Sequence, residues 1–180
     1  NAYALNFTTG ADTTAPTVMQ VSASNLDGTW IKDDTVYVRV KFSEVVTVST
    51  AGGTPNLQLE TGATDRLATY HSGSGTDTLV FSYLVQDQNT SADLNYVSTS
   101  ALSLNGGTIR DAAGNNATLT LPALASANSL AGQKALVIDA APTNSGPGTQ
   151  SAYAGTPLVF SGANKISISD IDSSLSTSYT

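Results

Sequence analysis

The chain has 180 residues, 12% of them charged, with 14 acidic residues against 7 basic ones and a net charge of −7. That balance excludes a nucleic-acid binder, because phosphate recognition needs clustered Lys and Arg and the basic residues here are scattered. The absence of cysteine excludes disulfides, thiolate catalysis and Cys-based zinc sites, and no apolar run is long enough to span a membrane as a helix.

In chain order, Asn1 to Gly10 holds one short alternating run with Tyr3, Leu5 and Phe7 on one side. It is too short to fold alone. It reads either as the last strand of a preceding module or as a strand donated to a neighbouring subunit. Asp12-Thr-Thr-Ala-Pro-Thr17 follows, and a shorter version, Asp139-Ala-Ala-Pro-Thr143, returns about 126 residues later. Each copy is preceded by a strand-like run, Ala4 to Phe7 and Ala135 to Ile138. Proline stiffens such a segment by fixing its own φ and biasing the residue before it toward extended geometry. The repeat is therefore the boundary device of a module spanning 12–142. On this reading 1–11 is the tail of a predecessor, and 143–180 is a linker and the start of a second, incomplete β module.

Within the module the pattern is all β. Val18 to Ala23 alternates, and Asn25-Leu-Asp-Gly28 is a turn. The strongest strand is predicted over Thr35 to Val48, with Val36, Val38, Val40 and Phe42 on one face and Tyr37, Arg39 and Lys41 on the other. Ser43-Glu44 is expected to break that alternation with a bulge or bend. Short strands are expected over Asn56–Glu60 and Arg66–His71, then a strong one over Thr78–Val85. Further strands are expected over Leu94–Val97, Ala101–Leu104, Thr108–Arg110 and Thr118–Leu121. Asn105-Gly-Gly107 marks a turn. Pro122 to Gln133 reads as a crossing loop, and Lys134 to Asp139 as the closing strand. No segment keeps a helical period. Seven or more short strands with frequent turns predict an immunoglobulin-like β-sandwich. Beyond it, Asn144 to Gly148 reads as linker, and Thr156–Phe160 and Lys165–Ser169 as two strands running into Asp170-Ile-Asp172.

Calcium is the one chemistry with support. Ca²⁺ takes six to eight oxygen ligands, carboxylates foremost. In the predicted sandwich Asp12 enters at one end, Glu44 leaves the long strand at that end, and Asp111 sits in a late loop that returns there. Asp139 would take the part of Asp12 at the next junction. The bland alternative is that these are turn-forming and solubilising acids. Asp33-Asp34 reads as a turn before a strand. Glu44 and Glu60 form a formal glycosidase pair with no apolar pocket around either. His71, the only histidine, has no Gly-x-Ser-x-Gly elbow to serve. Trp30, with Tyr37 and Tyr70, would be either a sugar-stacking patch or, for Trp30, a cap on the core edge.

The run from Asp12 to Asp139 resembles the immunoglobulin-like repeats of very large bacterial surface adhesins. The resemblance is carried by Asp12 to Thr17, Asp27-Gly-Thr29, Lys41-Phe-Ser-Glu-Val-Val46, Tyr70 to Gly75, Leu102 to Gly107, Thr108-Ile-Arg-Asp-Ala-Ala-Gly-Asn115 and Ala135 to Asp139. Thr149 to Asp172 is similar to the start of a cadherin-like repeat, with Thr156-Pro-Leu-Val-Phe160 and Asp170-Ile-Asp172 as the matching residues. The acidic pair usual before Thr-Pro-Leu is here Ala154-Gly155. The resemblance implies a non-catalytic stalk module outside the cell or on its surface, with Ca²⁺ at the junctions held by Asp12, Glu44, Asp111, Asp139, Asp170 and Asp172. Its partners would be adjacent repeats of the same polypeptide and cell-surface or matrix ligands. The alternatives are a self-assembling filament or surface-layer subunit built by strand exchange, and a carbohydrate-binding module.

Overall fold

The structure is a computed structural model that describes residues 10–139 and the backbone of 143–145 and 167–169. The expectations for Tyr3–Phe7, Thr156–Phe160, Asp170 and Asp172 lie outside the described residues.

Period-two sequence becomes a sheet where one phase can be buried. In β3 (Thr35–Ser49), Val36, Val38, Val40 and Phe42 are buried while Tyr37, Arg39 and Lys41 are exposed. In β6 (Thr76–Leu84), Leu79, Phe81 and Tyr83 are buried. These two strands are antiparallel from Thr35↔Leu84 to Lys41↔Thr78 and form the centre of a seven-stranded sheet. On one side of them lies β1 (Val18–Ala23). On the other come β5 (Arg66–Ser72), β4 (Asn56–Leu59) and β8 (Leu102–Ser103). The seventh strand, β9 (Thr108–Arg110), pairs with the last residues of β3, Thr47 to Ser49.

A three-stranded sheet has the order β2 (Gly28–Trp30), β10 (Leu136–Asp139), β7 (Thr90–Ser91). Leu136 and Ile138 of β10 belong to the same hydrophobic cluster as the buried residues of β3, β4 and β6. The two sheets thus share one core. The outer edge of β1 is partly covered, since Val21 N–H donates to Asn128 C=O and the single helical turn α1 (Leu130–Gln133) packs beside it. Ser129 caps that turn, its Oγ accepting from Gly132 N–H.

The bend at Ser43-Glu44 is present, but the alternation is not broken there. β3 leaves its register with β6 between Lys41 and Val46, while even-numbered residues keep the inward phase through Val46 and Val48. Glu44 therefore takes an inward-phase position.

Two expected strands are corrected. Leu94–Val97 makes only an isolated bridge, Leu59↔Tyr96. Leu94 N–H donates to Leu136 C=O in the small sheet, whereas Val97 N–H donates to Gln58 C=O in the large one. A segment that changes sheets within four residues cannot keep one ladder. Thr118–Leu121 fails likewise, with Thr118 N–H on Pro16 C=O and Leu121 N–H on Thr99 C=O. Strands β2 and β7 were not expected, being too short to show a period. Asn144-Ser145, read as linker, lies in β11 (Thr143–Ser145), which pairs with β12 (Ser167–Ser169).

Tyr83 is a polar anchor within the core. Tyr83 Oη donates to Asn89 Oδ1, which also accepts from Gln86 N–H, and burial pushes the Tyr83 phenol up to about 12. Tyr83→Phe deletes one donor and leaves Asn89 Oδ1 its second. The expected loss is about 1 kcal/mol in urea unfolding; an unchanged midpoint would show that the bond contributes nothing net.

Candidate metal centre

The chain enters the domain along a seam. Thr17 N–H donates to Ser43 Oγ and Ser43 N–H donates back to Thr17 C=O. On the other flank Thr118 N–H donates to Pro16 C=O. The segment before Pro16 is thereby held between the bend of β3 and the stretch after β9. Each neighbour brings an acid, Glu44 from the bend and Asp111 from the turn that follows β9. Asp12 comes from the entering segment itself. One carboxylate oxygen from each of Asp12, Glu44 and Asp111 lies within 4.8 Å of the others. The convergence expected for these three acids is what the structure contains.

Asn115, which sequence reasoning gave no role, is the organiser. Its side-chain Nδ2 donates to Asp111 Oδ2 (2.7 Å), Asp12 C=O (3.1 Å) and Thr14 C=O (3.3 Å). Its backbone N–H donates to Asp111 Oδ1 at 2.7 Å. One amide thus ties the entering segment to the 111–115 turn, which closes through Gly114 at φ +94°. The available signal was the polar run Asp111-Ala-Ala-Gly-Asn115. Asp12 adds its own Asx turn, with Oδ1 accepting from Thr14 N–H at 2.9 Å.

The electrostatics are unbalanced. The ion pairs among the described residues are Lys32–Asp87, Lys41–Asp77 and Lys134–Asp27, all elsewhere. Glu44 is raised above its ordinary 4.5, by desolvation first and then by the charges of Asp12 and Asp111. Asp111 is desolvated too. Yet the Asn115 side chain and the backbone N–H groups of Asn115, Gly114 and Ala113 outweigh that and hold it below its ordinary 3.8. The signs follow. A raised acid makes the folded state bind more protons, so its contribution improves as pH falls through a value above 4.5. Stability from Asp111 is present above 3.8 and is lost as pH falls through its lower folded value. Metal-free melting temperature is thus expected to climb on mild acidification and then drop, with Glu44→Gln flattening the climb. A climb identical in that variant would assign it to other groups.

The donor set is all oxygen, with no His or Cys, which suits a hard cation of Ca²⁺ type. Three carboxylates from separate segments, supplemented by water and carbonyl oxygens, fit the flexible coordination that Ca²⁺ accepts.

The other candidates do not join this group. Asp139, at the end of β10, pairs with Thr90. Thr90 follows shortly after Leu84, which pairs with Thr35 at the start of β3. Glu44 lies ~30 Å further along β3, at about 3.3 Å per extended residue. Asp12 and Asp139 therefore mark opposite ends of the domain. Asp33-Asp34 is a turn, Asp33 at φ +71° and Asp34 Oδ2 accepting from Ile31 N–H. Glu60 Oε1 accepts from Gly62 N–H at the end of β4.

The three aromatics considered for sugar stacking are separated. Trp30 is half-buried against the core. Tyr70 packs edge-on against Phe81, its Oη accepting from Ser74 N–H. Tyr37 lies on the outer face beside His71.

No helix among the described residues is long and apolar enough to cross a membrane. Comparison of the chain with protein-family models, curated proteins and solved structures finds no match.

Proposed function

We propose that this domain is a non-catalytic spacer repeat of a large bacterial surface or secreted adhesin, an immunoglobulin-like sandwich stiffened by Ca²⁺ where it joins its neighbour. The convergence of Asp12, Glu44 and Asp111 carries the reading. Asp12 stands on the segment that leads out of the domain toward residue 1. A cation shared by Asp12, β3 and the 111–115 turn would fix the direction in which that segment leaves. Stacked modules would then form a rod of limited bending. The recurrence of the Asp and Ala-Pro-Thr motif at the opposite end, from Asp139, supports head-to-tail repetition. In an extracellular setting, sites of moderate affinity are filled by ambient calcium.

Calcium titrated calorimetrically into the chain is expected to bind saturably at one site, and Asp111→Asn is expected to abolish that binding. A wild-type chain that gives no saturable heat up to millimolar calcium removes the ion from the proposal.

A further inference from the structure

The outer face of the seven-stranded sheet, turned away from the shared core, carries a groove of about 740 Å³. This is within the range of small-ligand sites, roughly 300–1,000 Å³. Its floor comes from three adjacent strands. Tyr37, Ser82 and Thr69 lie in one row across β3, β6 and β5, since Tyr37 pairs with Ser82 and Ser82 with Thr69. His71 lies beside this row, its ring centroid 5.4 Å from that of Tyr37 at an interplanar angle of 56°. Leu67 and Leu84 are about half exposed, at 54% and 51%. Arg66 lines the groove at the end away from His71.

Arg66 is the unusual member. It enters no ion pair among the described residues, and its Nε is buried without a hydrogen-bond partner. Its neighbour Asp65 is engaged by Gln58 Nε2. Asp65 also lines the groove, so this half-buried guanidinium, in no ion pair and in a chain of net charge −7, suits a single carboxylate rather than a polyphosphate. The side chains of Thr69 and Ser82 also line the groove.

We propose that this groove binds a carboxylate-bearing saccharide. The apolar face of one ring stacks on Tyr37, with the tilted His71 ring at its edge. Sugar hydroxyls meet Thr69 and Ser82, and the two terminal amino groups of Arg66, rather than its buried Nε, take the carboxylate in a charge-assisted, bidentate pair. A neutral glycan leaves Arg66 as unpaired as it is now.

The test titrates the full chain with tetragalacturonate, its methyl ester and cellotetraose, in chelator so that calcium bridging contributes nothing. Saturable binding of tetragalacturonate is expected, weakened about tenfold or more by methyl esterification and by Arg66→Gln. Tyr37→Ala, at an exposed position, is expected to weaken acid and ester alike. The ester comparison uses wild-type protein, so it decides the matter even if Arg66→Gln folds poorly. No saturable binding by folded wild type overturns the proposal, as does equal affinity for acid and ester. A concentration-dependent dimer abolished by Tyr37→Ala, with no sugar bound, assigns the face to self-association instead. None of these outcomes touches the calcium reading, which concerns other residues.

Discussion

Gly53→Ala is expected to destabilise the domain by about 3 kcal/mol or more, because backbone strain and overpacking act at the same atom. Gly53 sits at φ +149°, and a Cβ there would overlap the carbonyl oxygen of Asn105. The approach is mutual. A Cβ on Gly106 would overlap the carbonyl of Gly52, and one on Gly107 would crowd Gly53 and Ser49. Asn105 Nδ2 adds a bond to Thr54 C=O at 3.2 Å. Two loops, after β3 and before β9, are thus clasped backbone to backbone, and β9 leads directly to Asp111. Gly75→Ala is the control. It has positive φ, +86°, but nothing within 4 Å of the new Cβ, so only the left-handed penalty of about 1 kcal/mol remains. Denaturant unfolding of both variants separates the two contributions. Equal losses would mean that the loops move aside and the clasp is not rigid. The larger loss at Gly53 should also weaken calcium binding, since it disturbs the strand that delivers Asp111.

The second large effect is the response to calcium. Binding to the folded state alone stabilises by RT ln(1 + [L]/Kd), so calcium at about 100 times Kd adds roughly 2.7 kcal/mol. For a domain of this size that is a rise in Tm on the order of 10 °C over the same protein in EDTA. Asp111→Asn removes the charge, together with one of the two oxygens that accept from Asn115, and should remove the rise. Mg²⁺ should give less, because it demands near-ideal octahedral geometry and dehydrates reluctantly. The rise should also shrink on acidification, as Glu44 takes up a proton at a pH above its ordinary 4.5. Superimposable melts in calcium and EDTA would leave a spacer that gains nothing from metal.

The largest elements were legible because their signal is local. β3 and β6 alternate over enough residues for burial of one face to be the only economical solution, and their buried sets are those the alternation names. The meeting of Asp12, Glu44 and Asp111 was legible from strand order, since it required only that three chain segments reach one end of the sheet. The parallel pairing of β2 with β10 was not, because three-residue strands have no period and their partner is distant in sequence. Nor was the failure of Leu94–Val97, whose apolar residues look like a strand while its backbone bonds are divided between two sheets.

By itself, then, the sequence determined an all-β domain, the inward face of each long strand, the absence of thiol chemistry and the acids available to a cation. Those properties follow from side-chain type and a period of two. Only the tertiary structure decided that Asn115 binds the entering segment to Asp111, that Glu44 keeps an inward phase at the bend, and that Arg66, in no ion pair among the described residues, lines one end of a groove shared with Tyr37 and His71. Each depends on which backbone carbonyls and carboxylates lie within about 3 Å across segments far apart in the chain, a distance set by packing rather than by spacing.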